Sequence, residues 1–137
     1  MICLAYFSSA TTIMSADILQ GIVAQAQRNN ALKGVTGMLC HYDGSFLQFL
    51  EGDEAAVSEI YAAICRDPRH TGLMEVYRGE ISERIFGEWT MAVVKADDVG
   101  PAQQAFARSL RKVQLAGAAQ HRQAIEPFLD SFRIWIR

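Results

Sequence analysis

The sequence predicts an α+β fold in which two helices cover one face of a largely antiparallel sheet. Three observations carry this. Apolar runs with strand-like patterning alternate with two stretches of helical periodicity. Asp43-Gly44 stands between two of the runs as the strongest two-residue hairpin signal in the chain. The bulk composition, 137 residues with 50% hydrophobic and 20% charged, suits one small domain that buries a core without disulfide staples.

Taken in order, Ile2 to Ser8 reads as a short, mostly apolar strand, suited to the centre of a sheet. Ser15 is placed to cap the next helix, with Asp17 in its first turn favoured by the helix dipole. Ile18, Leu19, Ile22, Val23 and Ala26 then fall on one helical face. The helix is expected to fade near Asn29-Asn30, because Gly34 follows and suits a chain reversal. Val35 to Tyr42 and Ser45 to Glu51 form the predicted hairpin.

Gly52-Asp53-Glu54 opens a second helix with Val57, Ile60, Tyr61 and Ile64 inward. Pro68 ends it, since the residue before a proline avoids helical geometry. Leu73 to Ile81 and Trp89 to Lys95 read as two further strands around a polar turn. The order β-α-β-β-α-β-β predicts a ferredoxin-like α+β sandwich with one added strand.

Residues 97–137 differ in character. Pro101 suits the first turn of a helix running to about Ala116, Gly117 marks a break, and Ala118 to Glu126 continues helically. The terminus, Phe128 to Arg137, is rich in apolar residues. Two readings stand: it packs on the open sheet face, or it forms a dimer or partner surface.

Several function classes lose their basis here. The formal charge of −2 offers no basic field for sequence-independent nucleic-acid binding. Cys3, Cys40 and Cys65, with His41, His70 and His121, show no metal-ligand spacing. There is no paired-carboxylate pattern, serine elbow or glycine-rich phosphate loop, so nothing looks like a hydrolytic site, and with no room for a catalytic output domain in 137 residues no enzyme is expected. An acyl-phosphate hydrolase would need an anion loop with an arginine after the first strand, and residues 8–14 contain none. An RNA-binding sheet would need exposed aromatics with basic neighbours. With no leader-like or membrane-spanning segment, the expectation is a reduced, cytoplasmic protein.

What needs explaining is polar. Gln48 sits in the run Ser45-Phe46-Leu47-Gln48-Phe49-Leu50-Glu51-Gly52, on the face shared by Phe46 and Leu50. A carboxamide among apolar groups costs ~1–3 kcal/mol unless its C=O and NH2 find partners. Either it lies at a wet strand edge, or it meets a buried polar group or a ligand. If the first and third strands are neighbours, Tyr6 becomes its cross-strand partner in a donor–acceptor relay. Asn30 offers a second fork, matched to an adjacent C=O and N–H on a planar ring. The plainer alternatives are a tyrosine with its hydroxyl at the sheet edge and asparagines that cap a helix.

At this point the chain resembles a BLUF domain, the family of blue-light sensors that use flavin. The resemblance covers residues 1–96 and rests on Leu4-Ala5-Tyr6-Phe7-Ser8, Gln27-Arg28-Asn29-Asn30 and Gly34-Val35-Thr36-Gly37-Met38-Leu39. It continues through Gly44 to Gly52, Asp67-Pro68-Arg69-His70 and Phe86-Gly87-Glu88-Trp89-Thr90-Met91. Each motif is weak, but their joint order and spacing are specific.

The resemblance implies FAD, with FMN as the other possible flavin, held non-covalently between the two helices. Tyr6 matches the photochemical electron and proton donor, and Gln48 the residue linking it to flavin N5 and C4=O. Asn30 matches the fork to C4=O and N3–H, and Arg69 the donor toward C2=O. Asn29 and His70 match residues lining the ring, Ile22 packs against it, and Asp67 orients the Arg69 turn. Trp89 and Met91 match the pair on the fifth strand that changes environment on signalling. The implied organisation is a photosensor over 1–96 and a helical output extension over 97–137, through which the chain forms homo-oligomers and meets an unidentified downstream protein. The rival is a flavin-free interaction module of the same fold, and the colour of the purified protein separates the two.

Overall fold

The computed structural model describes residues 1–42, 44–84, 86, 91–94 and 104. Trp89 and, apart from Gln104, the extension over 97–137 lie outside the described residues, and with them the expectations placed there. The described elements follow the predicted order: β1 (Ile2–Ala10), α1 (Ala16–Lys33), β2 (Thr36–Tyr42), β3 (Ser45–Gly52), α2 (Glu54–Cys65), β4 (His70–Glu80) and β5 (Ala92–Val94).

The five strands form one sheet in the order β4-β1-β3-β2-β5. Four are antiparallel to their neighbours, while β5 adds parallel to β2 over Met38↔Ala92, Leu39↔Val93 and Cys40↔Val94. This is the ferredoxin-like α+β arrangement with an extra edge strand. The central position of β1 explains its apolar sequence: a strand flanked on both edges has its backbone fully committed to the ladder. Its side chains from Ile2 to Phe7 are all buried, on both faces.

The antiparallel pairing sets Tyr6 directly opposite Gln48, with Leu4↔Leu50 and Ser8↔Phe46 on either side. Because strand side chains alternate, these pairs share one face, and that face meets the helices. Ile2, Leu4, Tyr6, Leu39, Phe46 and Leu50 from the sheet pack with Ile22 of α1 and Val57 and Ile60 of α2.

Helix α1 starts where expected, with the Ser15 hydroxyl accepting from the Ile18 amide at 3.2 Å. It does not fade at Asn29-Asn30 but runs to Lys33. Gly34 ends it in the left-handed conformation (φ 67°), its N–H bonded to the Asn30 carbonyl. The two asparagines therefore sit inside the last turn, with Asn30 turned into the protein. Ile18, expected on the inward face, is 39% exposed. Helix α2 is capped at Asp53 without a side-chain hydrogen bond and ends at Cys65, before the turn containing Pro68.

Gly37 is a second position where glycine is required, for space. A Cβ there would lie 2.1 Å from the Phe49 carbonyl oxygen and 3.0 Å from Met91 Cε. This close approach seats Met91 on the helix-facing side of β2 and β3.

Candidate functional site

Helices α1 and α2 diverge over the sheet and leave a cavity of about 270 Å³. Its size is close to the lower bound of ~300 Å³ usual for small-molecule sites. The floor is Tyr6, Leu39 and Gln48. Ile22, Ala26, Asn29 and Asn30 form the α1 wall, Ile60, Ala63 and Ile64 the α2 wall. Asp67, Arg69 and His70 close one end, and Lys33 and Glu59, ion-paired at 3.0 Å, bridge the helices at the rim.

The floor gives Gln48 its partners. The carboxamide is buried, and Tyr6 donates its hydroxyl proton to Gln48 Oε1. On its other side Gln48 Nε2 donates to Met91 Sδ at 3.3 Å. One planar group thus spans from β1 to the segment entering β5. Complete burial, with a smaller electrostatic contribution from Tyr61, raises the Tyr6 phenol far above its ordinary value, so it is held protonated. The Tyr61 ring lies 5.4 Å from the Tyr6 ring, and burial pushes its phenol up to about 12.

The polar end is built by the turn before β4. The Asp67 carboxylate accepts from the Arg69 amide (2.9 Å) and from Arg69 Nε (3.0 Å) and Nη2 (2.6 Å). Those bonds to Arg69 hold the carboxyl below its ordinary value. Arg69 Nη2 also donates to Gln25 Oε1 at 2.7 Å, tying the turn to α1. Thr11, just after β1, fixes the turn, its hydroxyl donating to the Pro68 carbonyl at 2.8 Å. His70 pairs with Ala10, and its Nδ1 lies 3.0 Å from the Ser8 hydroxyl. Burial holds the His70 imidazole below its ordinary value, and so neutral at pH 7.

All the predicted site residues that fall among the described ones therefore meet at one cavity: Tyr6, Ile22, Asn29, Asn30, Gln48, Asp67, Arg69 and His70 line it, and Met91 touches Gln48. Sequence reasoning passes over Gln25, which lines the cavity, and over Ser8 and Tyr61, which touch His70 and Tyr6. Ser8 carries a signal, because it lies two residues from Tyr6 on the same strand face. Gln25 carries one as well, three residues after Ile22 on the helix.

The donor set can be tested against a flavin ring, which has a broad apolar body and an edge of alternating carbonyls and ring nitrogens. Branched aliphatic side chains on both walls suit the body. The Asn30 carboxamide, 1% exposed, the Arg69 guanidinium and the Gln48 carboxamide suit the edge. The residues fit. Among the described residues no cluster of His, Cys, Asp or Glu could hold a metal.

The family model described as BLUF, sensors of blue light using FAD, matches residues 1–92. The chain belongs to the BLUF family. This BLUF domain is 43% identical over 89 residues to the photoactivated adenylate cyclase subunit beta of Euglena gracilis, a match that covers 64% of this chain and 10% of that protein. Among solved structures it is similar to BlrB, a BLUF protein in its dark state, at 27% identity and a TM-score of 0.69, with 85% of each chain covered. It is also similar to Klebsiella pneumoniae BlrP1 with FMN and cyclic diGMP, at 29% identity and a TM-score of 0.64, over 69% of this chain and 26% of that one. The chain spans about a tenth of the length of the cyclase relatives that it matches. BLUF domains are flavin-binding sensor modules, and the fold and motifs above are those of the family. No helix among the described residues is long and apolar enough to cross a membrane.

Proposed function

We propose that this BLUF domain is a blue-light photoreceptor that holds oxidised FAD, with FMN as a second acceptable flavin, non-covalently between α1 and α2. The observation that carries the reading is the buried Tyr6–Gln48 pair on the cavity floor. Bound flavin supplies the absorption of blue light and an excited state that accepts an electron. Asn30 and Arg69 hold its polar edge, Asp67 keeps Arg69 aimed, and Ile22, Asn29 and His70 line the ring.

Tyr6 is the electron donor. Its phenol is far too weak an acid in this environment to ionise first, so its proton leaves only when the ring is oxidised. That proton passes through Gln48, whose Oε1 already accepts the hydroxyl. When electron and proton return to Tyr6, the carboxamide is left rotated or tautomerised. Met91 and Trp89 carry the change toward residues 97–137, which signal through protein–protein contact with a downstream protein and with further copies of the chain. The domain acts as a sensor, without catalysis of its own, in the cytoplasm.

The test is the visible spectrum of the purified protein in darkness and directly after blue light. A flavin spectrum that shifts slightly red and recovers in the dark is expected, and it should be lost in Gln48→Leu. A colourless protein that takes up no added FAD or FMN would leave the flavin-free interaction module.

A further inference from the structure

Gln48 is not the only glutamine that holds Met91. From the helix layer, Gln27 on α1 donates its Nε2 to the Met91 carbonyl oxygen at 3.0 Å. The motif Gln27-Arg28-Asn29-Asn30 thus serves two purposes. Its asparagines line the cavity, and its glutamine reaches the backbone that precedes β5. Met91 is consequently gripped at two atoms from two layers: the sulfur by β3 and the carbonyl by α1. Gly37 completes the seat by leaving room for the Met91 methyl.

The strand that follows Met91 shows a short ladder. Among the described residues β5 is three residues long and pairs with β2 alone. A short edge ladder opens locally at low cost, so one added hydrogen bond at its entry shifts the balance noticeably. We propose that Gln27 is a positioning residue for output: its amide tethers the Met91 carbonyl to α1, keeps the Met91 sulfur against Gln48, and sets how readily β5 undocks. The proposal extends the photoreceptor reading and rests on it only for the effect of light. Release of Met91 Sδ by Gln48 leaves the Gln27 tether as the remaining hold, and the strength of that hold decides how far β5 responds.

The test is hydrogen-exchange mass spectrometry on the full chain loaded with FAD. Gln27→Glu keeps the shape but cannot donate to a carbonyl, while Gln27→Lys keeps a donor. In darkness, Gln27→Glu should raise exchange at the amides of 92–94 on the order of fivefold, as expected for one net hydrogen bond, with β1 and β3 unchanged. Gln27→Lys should stay near wild type. Under blue light the flavin red shift should keep its wild-type amplitude in both, but the light-minus-dark difference at 92–94 should widen in Gln27→Glu, where no hold on Met91 remains. Dark exchange at 92–94 that is equal in Gln27→Glu and wild type would overturn the tether. So would a rise of equal size in Gln27→Lys, or one that spreads across β1 and β3. A wild-type protein without a light-induced shift would instead defeat the photoreceptor reading, and the dark comparison would still decide the tether.

Discussion

Replacing Tyr6 by Phe removes one oxygen from the floor of the cavity and leaves the ring in place. The Tyr6 side chain is fully buried, and its hydroxyl is the donor to Gln48 Oε1. In the variant that oxygen faces a phenyl edge, and a buried acceptor without its donor costs ~1–3 kcal/mol. Packing against Tyr61 is retained and the phenol's own desolvation is relieved, so the net loss should fall near ~1–2 kcal/mol, or about 4–10 °C in melting temperature. Removing both partners in Tyr6→Phe/Gln48→Leu leaves no orphaned group. The double variant should therefore lose less stability than the two single losses added together. The assay is thermal unfolding of the four proteins loaded with FAD, with the light-minus-dark spectrum recorded on each. Flavin should stay bound in Tyr6→Phe while the reversible red shift disappears. A Tyr6→Phe protein that still shifts with wild-type amplitude would refute the assignment of Tyr6 as donor. Strict additivity in the cycle would refute the Tyr6–Gln48 bond itself.

The same geometry sets other outcomes. Gly37→Ala drives a Cβ against the Phe49 backbone oxygen, which cannot swing aside, and should cost about 2–3 kcal/mol or more in denaturant unfolding. Asp67→Asn removes the partner that aims Arg69 and should weaken FAD binding in a fluorescence titration without changing the fold seen by circular dichroism. Because the Asp67 carboxyl is depressed in the folded protein, its contribution is complete above the ordinary value of 3.8 and is lost only as pH falls through the lower folded value. The buried His70 has the same sense at higher pH. Its contribution is complete above 6.5 and declines as pH falls below that, so His70→Gln should flatten the melting-temperature profile under pH 6.5.

Local chemistry makes much of this molecule legible. The Ser15 cap, the two-residue hairpin and the polar intruder at Gln48 depend on residues close in sequence, or on a period of two, and those rules alone place each of them. Assuming the strand order then brings Tyr6 to Gln48. Bonds across long separations stay hidden. Gln25 meets Arg69, Gln27 meets Met91 and Ser8 meets His70, and no periodicity links the members of any of these pairs. The end of α1 lies beyond its expected place because asparagine disfavours helix interiors by only a few tenths of a kcal/mol. The left-handed turn at Gly34 decides the terminus instead. The helical period puts Ile18 inside, but in the first turn of α1 it is only partly covered.

A single rearranged hydrogen bond is worth only ~0.5–1.5 kcal/mol net, which is about a tenfold change in an equilibrium at most. Such a signal is useful only if it cannot dissipate at its source. The Gln48 carboxamide meets that condition through its planarity. Its oxygen is committed to Tyr6 on β1 and its nitrogen to the Met91 sulfur at the entry to β5, and the two ends turn together. No rotation of that group can alter the bond to Tyr6 without altering the contact at Met91. Tyr6 and the segment entering β5 are therefore coupled by one rigid amide. On the proposal above, the entry to β5, tethered by Gln27, is where so small a free energy takes effect.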